Sequence, residues 1–191
     1  MRVSVALSAA ALLFAGIVDA AGPDDTAVVT SIKGDTIELT VPASALVLTF
    51  PKGGLDEMDM TGVAAASSPR YFGFSDSLSG LVVSGWIEPA SAFAGYKQFW
   101  EAEFSAMKEG GFMPIEPPTP VDVVDWVAIA YELPLPKTAN TAVNTHIRAE
   151  LIKNGTWVDL HISVTGDMPL AEARSQVLEL MKSVVVTKKG A

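Results

Sequence analysis

The sequence predicts an α+β fold in which an antiparallel β-sheet is flanked by two main helices. Residues 145–165 alternate between apolar and polar side chains around Asn154-Gly155, the pair that best tolerates the positive φ angles of a two-residue hairpin turn. Residues 96–109 place large apolar side chains at three- and four-residue spacing and end at Gly110-Gly111, as amphipathic helices do. Because strands, a helix, further strands and a second helix follow in that order, an antiparallel sheet is favoured.

The other elements are predicted from the same periodicities. Residues 36–41 and 46–50 alternate cleanly and are predicted strands, residues 71–75 and 81–88 form a predicted hairpin, and residues 183–187 form a short last strand. Residues 126–133 are apolar on both faces, which is typical of an interior strand. The second helix is predicted to begin after Asp167-Met168-Pro169, because an acidic residue and an early proline favour a helix start.

Three segments admit a functional or a structural interpretation, and the structural one is favoured each time. The aromatic stripe of the first helix (Tyr96, Phe99, Trp100, Phe104, Met107) is more often a core face than a ligand groove. Residues 51–69 form a long connection, and its acidic segment 56–60 lacks calcium-loop spacing, which favours a solvated loop. Residues 114–120 contain four prolines and predict an extended connector.

The first 20 residues predict an export signal. Met1-Arg2 gives a positive start, residues 3–18 are almost wholly apolar, and Val18-Asp19-Ala20 fits a signal-peptidase site. Residues 1–20 are therefore predicted to be a signal peptide and residues 21–191 a single domain, located in the periplasm or secreted. A retained membrane anchor is the alternative, although the apolar run is short and no basic stop-transfer cluster follows. If the signal peptide is cleaved, the mature protein is not expected to insert stably into a membrane.

Composition excludes several classes of function. The chain carries 13 basic and 22 acidic residues, a net charge of −9, and the signal contributes one of each. An acidic protein without a basic cluster is not expected to bind nucleic acid or an anionic membrane surface. The chain has no cysteine, so neither a disulfide framework nor a lipoprotein attachment site is present in the sequence.

The two-residue turn fixes the register of the predicted hairpin, with Lys153 opposite Thr156. One face is then apolar, formed by Ile147, Ala149, Leu151, Val158, Leu160, Ile162 and Val164. The other face carries His146, Arg148, Glu150, Asp159 and His161, with Ile152 and Trp157 at its turn end. Both histidines of the chain are in this group. We take His146, Arg148, Glu150, Trp157, Asp159 and His161 as the hypothetical binding residues.

Three interpretations of this polar face remain open. The favoured one is a solvated charge network, in which Arg148, diagonal to Asp159, neutralises the facing Glu150 and Asp159, with Lys153 as a further candidate cation. The second is a site in which His161 and the two carboxylates bind a divalent metal or exchange protons; His146 is predicted to lie too far from His161 to share a metal. The third is that a helix or a partner covers the turn end. No catalytic residue, metal ligand or cofactor is assigned, because the usual nucleophile, phosphate and metal motifs are missing.

The order of elements resembles the PsbP-like family, which includes the DcrB-type envelope proteins. The resemblance rests on Leu46-Val47-Leu48-Thr49-Phe50-Pro51, the aromatic helix 96–109, Trp126-Val127-Ala128-Ile129-Ala130-Tyr131, the long hairpin and a last helix ending in Met181-Lys182-Ser183. It implies a PsbP-like α/β sandwich that is exported and mostly non-enzymatic. The expected function is an exported, non-catalytic binding or accessory protein whose partner is an unknown protein or small ligand of the cell envelope. The alternative is a metal-binding protein or enzyme that uses His161, Glu150, Asp159 and Arg148.

Overall fold

The computed structural model describes residues 27–60, 68–134 and 143–190. Within them the strands are β1 Val29–Lys33, β2 Thr36–Thr40, β3 Leu46–Pro51, β4 Asp56–Glu57, β5 Tyr71–Asp76, β6 Leu81–Pro89, β7 Thr119–Val121, β8 Val127–Glu132, β9 Val143–Lys153, β10 Thr156–Gly166 and β11 Val185–Lys188. The helices are α1 Tyr96–Gly110 and α2 Leu170–Ser183, and a short 3-10 helix covers Ala90–Ala92. The predicted α+β class, with antiparallel sheets flanked by two helices, is confirmed.

The strands form two antiparallel sheets. A four-stranded sheet has the order β1-β2-β3-β11, and a seven-stranded sheet has the order β4-β5-β6-β10-β9-β8-β7. The β9–β10 hairpin at the centre of the larger sheet has the predicted register, since Lys153 pairs with Thr156 and Arg148 with His161. Its turn residues Asn154 and Gly155 have φ angles of 49° and 76°, which explains why the sequence needs this pair there.

One face of the seven-stranded sheet builds the main hydrophobic core. Ile147, Leu160 and Ile162 on this face are at most 1% exposed. Helix α2 packs against β9, β10 and β3 through its buried residues Ala173, Val177 and Met181. The smaller sheet joins the same core, and the rings of Phe50 and Phe74 meet edge to face with centroids 5.6 Å apart. Alternation along β9 and β10 therefore separates an apolar face from a polar one, as predicted.

Helix α1 lies over the other, polar face of the same sheet. Its buried residues are Phe99, Glu103 and Met107, which recur every fourth position and so share one side of the helix. Phe99 packs on Trp157 with ring centroids 6.1 Å apart, and Met107 contacts Tyr131 of β8. The interpretation of the aromatic stripe as a packing face is therefore confirmed for Phe99 and Met107, while Tyr96 is 38% exposed.

The long connection, residues 51–69, and the N-terminal segment are only partly covered by the described residues. Residues 51–69 contain the two-residue strand β4, which pairs with β5, and residues 61–67 of this connection lie outside the described residues. The predicted signal peptide, residues 1–20, also lies outside them. In the three described ranges, no helix has both the length and the apolar character needed to cross a membrane.

Candidate functional site

The predicted site residues lie on the central hairpin beneath α1, and most of them are buried. Arg148, Glu150 and Asp159 are 6%, 0% and 2% exposed, and His146 is 7% exposed. The favoured interpretation of a solvated charge network is therefore wrong. The third interpretation, that a helix covers the turn end, holds for Trp157, which is 9% exposed, whereas Ile152 is 41% exposed.

Five residues form what we call the buried charge cluster: Glu103 of α1, Arg148 and Glu150 of β9, and Trp157 and Asp159 of β10. Arg148 Nη2 donates to Asp159 Oδ2 at 2.6 Å, and Arg148 Nη1 lies 3.5 Å from Glu103 Oε1. Trp157 Nε1 donates to Glu150 Oε2 at 2.5 Å. The predicted diagonal pairing of Arg148 with Asp159 is thus present, and it acts in the interior, where a charge-assisted hydrogen bond is strong.

Aromatic rings surround the guanidinium of Arg148. Its central carbon lies 5.7 Å from the ring centroid of Trp86 on β6 and 5.5 Å from that of Phe99 on α1. Contacts of a cation with aromatic faces are attractive at these distances. Arg148 therefore connects the helix to the sheet. It contacts Glu103 and Phe99 on α1, and Asp159 and Trp86 on the sheet.

Burial raises the pKa of two carboxyl groups in the cluster. Burial raises the pKa of Glu150 well above its ordinary value, and the nearby charge of Asp159 raises it further, against the opposing effect of Arg148. Burial also raises the pKa of Glu103, which Arg148 partly offsets. Glu150 Oε1 and Asp159 Oδ1 are buried and have no hydrogen-bond donor among the described residues. A proton on Glu150 supplies that donor, so we infer that Glu150 is the protonated member of this pair of carboxyl groups.

Glu150→Gln is therefore expected to change the free energy of unfolding by less than about 1 kcal/mol at pH 7, because the amide mimics the protonated acid. Its oxygen can accept from Trp157 Nε1, and its nitrogen can donate to Asp159. Glu150→Leu, the matched control, strands the indole N–H and is expected to cost about 1–3 kcal/mol. Urea unfolding of both variants measures the difference. Equal losses would contradict the neutral form of Glu150.

The two histidines lie beside this cluster and contact each other. His146 Nδ1 is 2.8 Å from His161 Nε2, and His146 Nε2 is 2.8 Å from Asn144 Oδ1. Asn144 Oδ1 also accepts from the hydroxyl of Thr165, at 2.9 Å. With that oxygen as acceptor, His146 carries its proton on Nε2, and its Nδ1 accepts from His161 Nε2–H. The prediction that His146 lies too far from His161 to share a metal rests on strand register, and the ring nitrogens are in fact 2.8 Å apart.

Both imidazoles are neutral at physiological pH. Burial lowers the pKa of His146 to about 3, helped by the charge of Arg148, and the His146 ring stacks on Tyr131 with centroids 5.1 Å apart. Burial also lowers the pKa of His161 well below its ordinary value, followed by the effects of His146 and Arg148. A proton on His146 Nδ1 would face the N–H of His161, so the hydrogen bond between the rings is lost when His146 takes up a second proton.

Because of these contacts, few polar groups of the cluster are available to bind a metal or a substrate. Within residues 27–60, 68–134 and 143–190, no three histidine, aspartate or glutamate side chains are arranged to hold a metal ion. Arg148 already binds the carboxylates of Asp159 and Glu103, and the indole of Trp157 occupies one oxygen of Glu150. The structure brings all six predicted residues onto one face, but as a buried network rather than as an open site. The pairing within it is incomplete, because four buried atoms have no hydrogen-bond partner among the described residues: Glu103 Oε2, Arg148 Nε, Glu150 Oε1 and Asp159 Oδ1.

Sequence reasoning missed Glu103, which contributes a 1% exposed carboxylate from the opposite element. A signal was present, because Glu103 lies four residues after Phe99 and four before Met107, in the middle of the buried stripe. A charged residue at the centre of an apolar stripe needs a buried partner of opposite charge. Arg148 is such a partner, and the pairing could have predicted that α1 covers the polar face of the hairpin.

Comparisons with known proteins give no family for this chain. No family model matches it, and no curated protein matches it. A solved structure of a mutant of protein Mog1 is similar with a TM-score of 0.45 and 11% sequence identity, over 80% of this chain and 96% of that chain. A likeness of this size assigns neither a family nor a function.

Proposed function

We propose that this protein is an exported, non-catalytic binding or accessory protein of the cell envelope with a PsbP-like layout. Export rests on the sequence of residues 1–20, and the layout on the order of strands and helices. The ligand or partner binds to the surface of the domain, while the buried charge cluster holds α1 on the sheet. The observation that carries the proposal is the burial of that cluster, in which Arg148 is already paired with Asp159 and Glu103.

A catalytic acid, base or nucleophile must come within hydrogen-bond distance of its substrate. Glu103, Arg148, Glu150 and Asp159 are each at most 6% exposed, and α1 lies between them and solvent. Their shifted pKa values are of the kind found at active sites, but buried ion-pair networks produce the same shifts. Burial and internal pairing together favour a structural role for these residues over a role in conversion of a substrate.

The alternative, a divalent-metal site at His161, Glu150 and Asp159, is tested by thermal unfolding. We expect the melting temperature of the purified protein to stay unchanged with zinc, copper, nickel, manganese or calcium, and with a chelator. A saturated site at about one hundred times its dissociation constant adds about 2.7 kcal/mol, a shift of several degrees for a domain of this size. His161→Gln is the matched variant, because it removes the imidazole and keeps hydrogen-bonding groups. A metal-specific rise that this variant abolishes would overturn the proposal.

A further inference from the structure

The seven-stranded sheet extends beyond the helix that covers its apolar face. Helix α2 packs on β9 and β10, while the outer strands β8 and β7 continue past it to the sheet edge. The side chains there are small: Thr119 and Ala130 face each other across β7 and β8. Because small residues do not fill the space between α2 and these strands, a cleft of about 280 Å³ remains. This volume is close to the lower end of the range for small-molecule sites.

The floor of the cleft is aliphatic and rigid. Ile147 and Val177 line it and are each 1% exposed, and Ala130 and Leu178 complete the apolar surface. These side chains belong to β8, β9 and α2, elements fixed by the hydrophobic core. A straight alkyl chain fits such a floor, and its removal from water is favourable in proportion to the apolar area covered.

A buried hydroxyl group marks one end of the cleft. Thr145 lines the cleft, is 1% exposed, and its Oγ1 has no hydrogen-bond partner among the described residues. A buried polar atom without a partner costs about 1–3 kcal/mol. Thr145 pairs across the strands with Glu132, whose carboxylate also lines the cleft. The unpartnered hydroxyl and the carboxylate thus lie at the same end.

The charges around this end favour a cation. Arg174 Nε donates to Glu132 Oε1 at 2.7 Å, so the charges of these two residues offset each other. Glu116 also lines the cleft and forms no ion pair with another described residue, so the rim is acidic overall. The whole chain has a net charge of −9, which attracts cations over a longer range. An ammonium group offers three donors and no acceptor, which matches the free Thr145 hydroxyl oxygen, the carboxylate of Glu116 and the Glu132 oxygen that Arg174 does not contact.

We propose that the cleft between α2 and β7–β8–β9 binds a short aliphatic chain that ends in an ammonium group. The ammonium donates to Thr145 Oγ1 and to the carboxylate of Glu132, and the chain lies over Ala130 and Ile147. The ligand is a free alkylamine or the side chain of a lysine, which share this chemistry. The inference rests on the proposed function, because it treats the ligand as bound and released unchanged.

The test is an NMR titration of the purified protein with n-hexylammonium, hexanoate and 1-hexanol, probes that share an alkyl chain of the same size. We expect hexylammonium to shift the amide resonances of β8, β9 and α2 and to bind most tightly. Thr145→Val keeps the shape of the side chain and removes the hydroxyl, so it is expected to weaken hexylammonium binding about tenfold. Ala130→Leu fills the cleft and should abolish binding, whereas Ala102→Leu, an exposed control on α1, should not change it.

Two results would overturn the inference. Tighter binding of hexanoate or hexanol would contradict the charge assignment, and binding that survives Ala130→Leu would place the ligand elsewhere. A second titration with Nα-acetyl-lysine methylamide identifies the source: tighter binding than hexylammonium supports a polypeptide, and weaker binding supports a free amine. NMR spectra of the recovered amine separate this inference from the proposed function. Chemical change of a bound amine would contradict the proposed function alone, and absence of binding contradicts the inference alone.

Discussion

Arg148→Met is expected to lose about 3–5 kcal/mol of unfolding free energy, the range measured when one partner of a buried ion pair is removed. Methionine fills much of the same volume, so the loss comes from charge rather than from a cavity. Asp159 and Glu103 lose the cation that binds them at 2.6 and 3.5 Å, and burial separates both from water. Since a domain has about 5–15 kcal/mol in total, this variant is expected to lose at least about a fifth of its stability. Urea unfolding, or the soluble yield, measures the effect.

Two companion variants separate charge from other causes. Arg174→Met removes an arginine that is 61% exposed and paired with Glu132, so it should cost less than about 1 kcal/mol. The triple variant Arg148→Met, Asp159→Asn, Glu103→Gln removes the uncompensated carboxylates and is expected to be more stable than Arg148→Met alone. If the triple variant were less stable than the single one, the contribution of Arg148 would be packing against Trp86 and Phe99 rather than ion pairing.

The second large effect is an acid-dependent contribution of His146. Its pKa is about 3 in the folded chain and 6.5 ordinarily, so between these values only the unfolded chain takes up the proton. The contribution is therefore complete above about pH 6.5 and is lost as the pH falls towards 3. The loss at pH 5 is about 2 kcal/mol for this residue. His161 acts in the same direction, because its pKa is also lowered.

The raised pKa values of Glu150 and Glu103 act in the opposite sense. Their contribution is complete below their ordinary value of 4.5 and is lost as the pH rises through their folded pKa. The pH dependence of wild-type stability therefore combines the opposite effects of the histidines and the glutamates. We expect the stability difference between wild type and His146→Gln to fall by about 2 kcal/mol from pH 7.5 to pH 5, because the groups that do not contact His146 cancel in the difference. His161 does not cancel fully, since His146 contributes to its lowered pKa. Glu101→Gln, exposed on α1, is the control. A flat difference for His146→Gln would contradict the neutral histidine pair.

The central hairpin was predictable in register as well as in type. Asn154-Gly155 fixes a two-residue turn, and every cross-strand pair of β9 and β10 follows from it by counting. The strict alternation from Ile147 to Val164 then assigns each side chain to one face of the sheet. Local sequence was sufficient here because turn geometry and side-chain period are both local properties.

The environment of the polar face was not predictable from those local rules. Whether His146, Arg148 and Glu150 meet water or a helix depends on where α1 packs, and α1 is distant from them in sequence. The contact between the histidines was missed for a related reason. Diagonal neighbours on a sheet are about 7–8 Å apart at the backbone, a distance that two imidazole rings can bridge. Counting pairs along the strands measures backbone separation and not the reach of the side chains.

The two faces of the seven-stranded sheet bind their helices by different forces, so different conditions weaken them. Helix α2 is held by aliphatic burial, which weakens on cooling because apolar hydration has a large heat capacity. Helix α1 is held in part by ion pairs, and the sheet face beneath it carries His146 and His161, whose lowered pKa values make acid favour the unfolded chain. Cold therefore loosens one face of the sheet and acid the other.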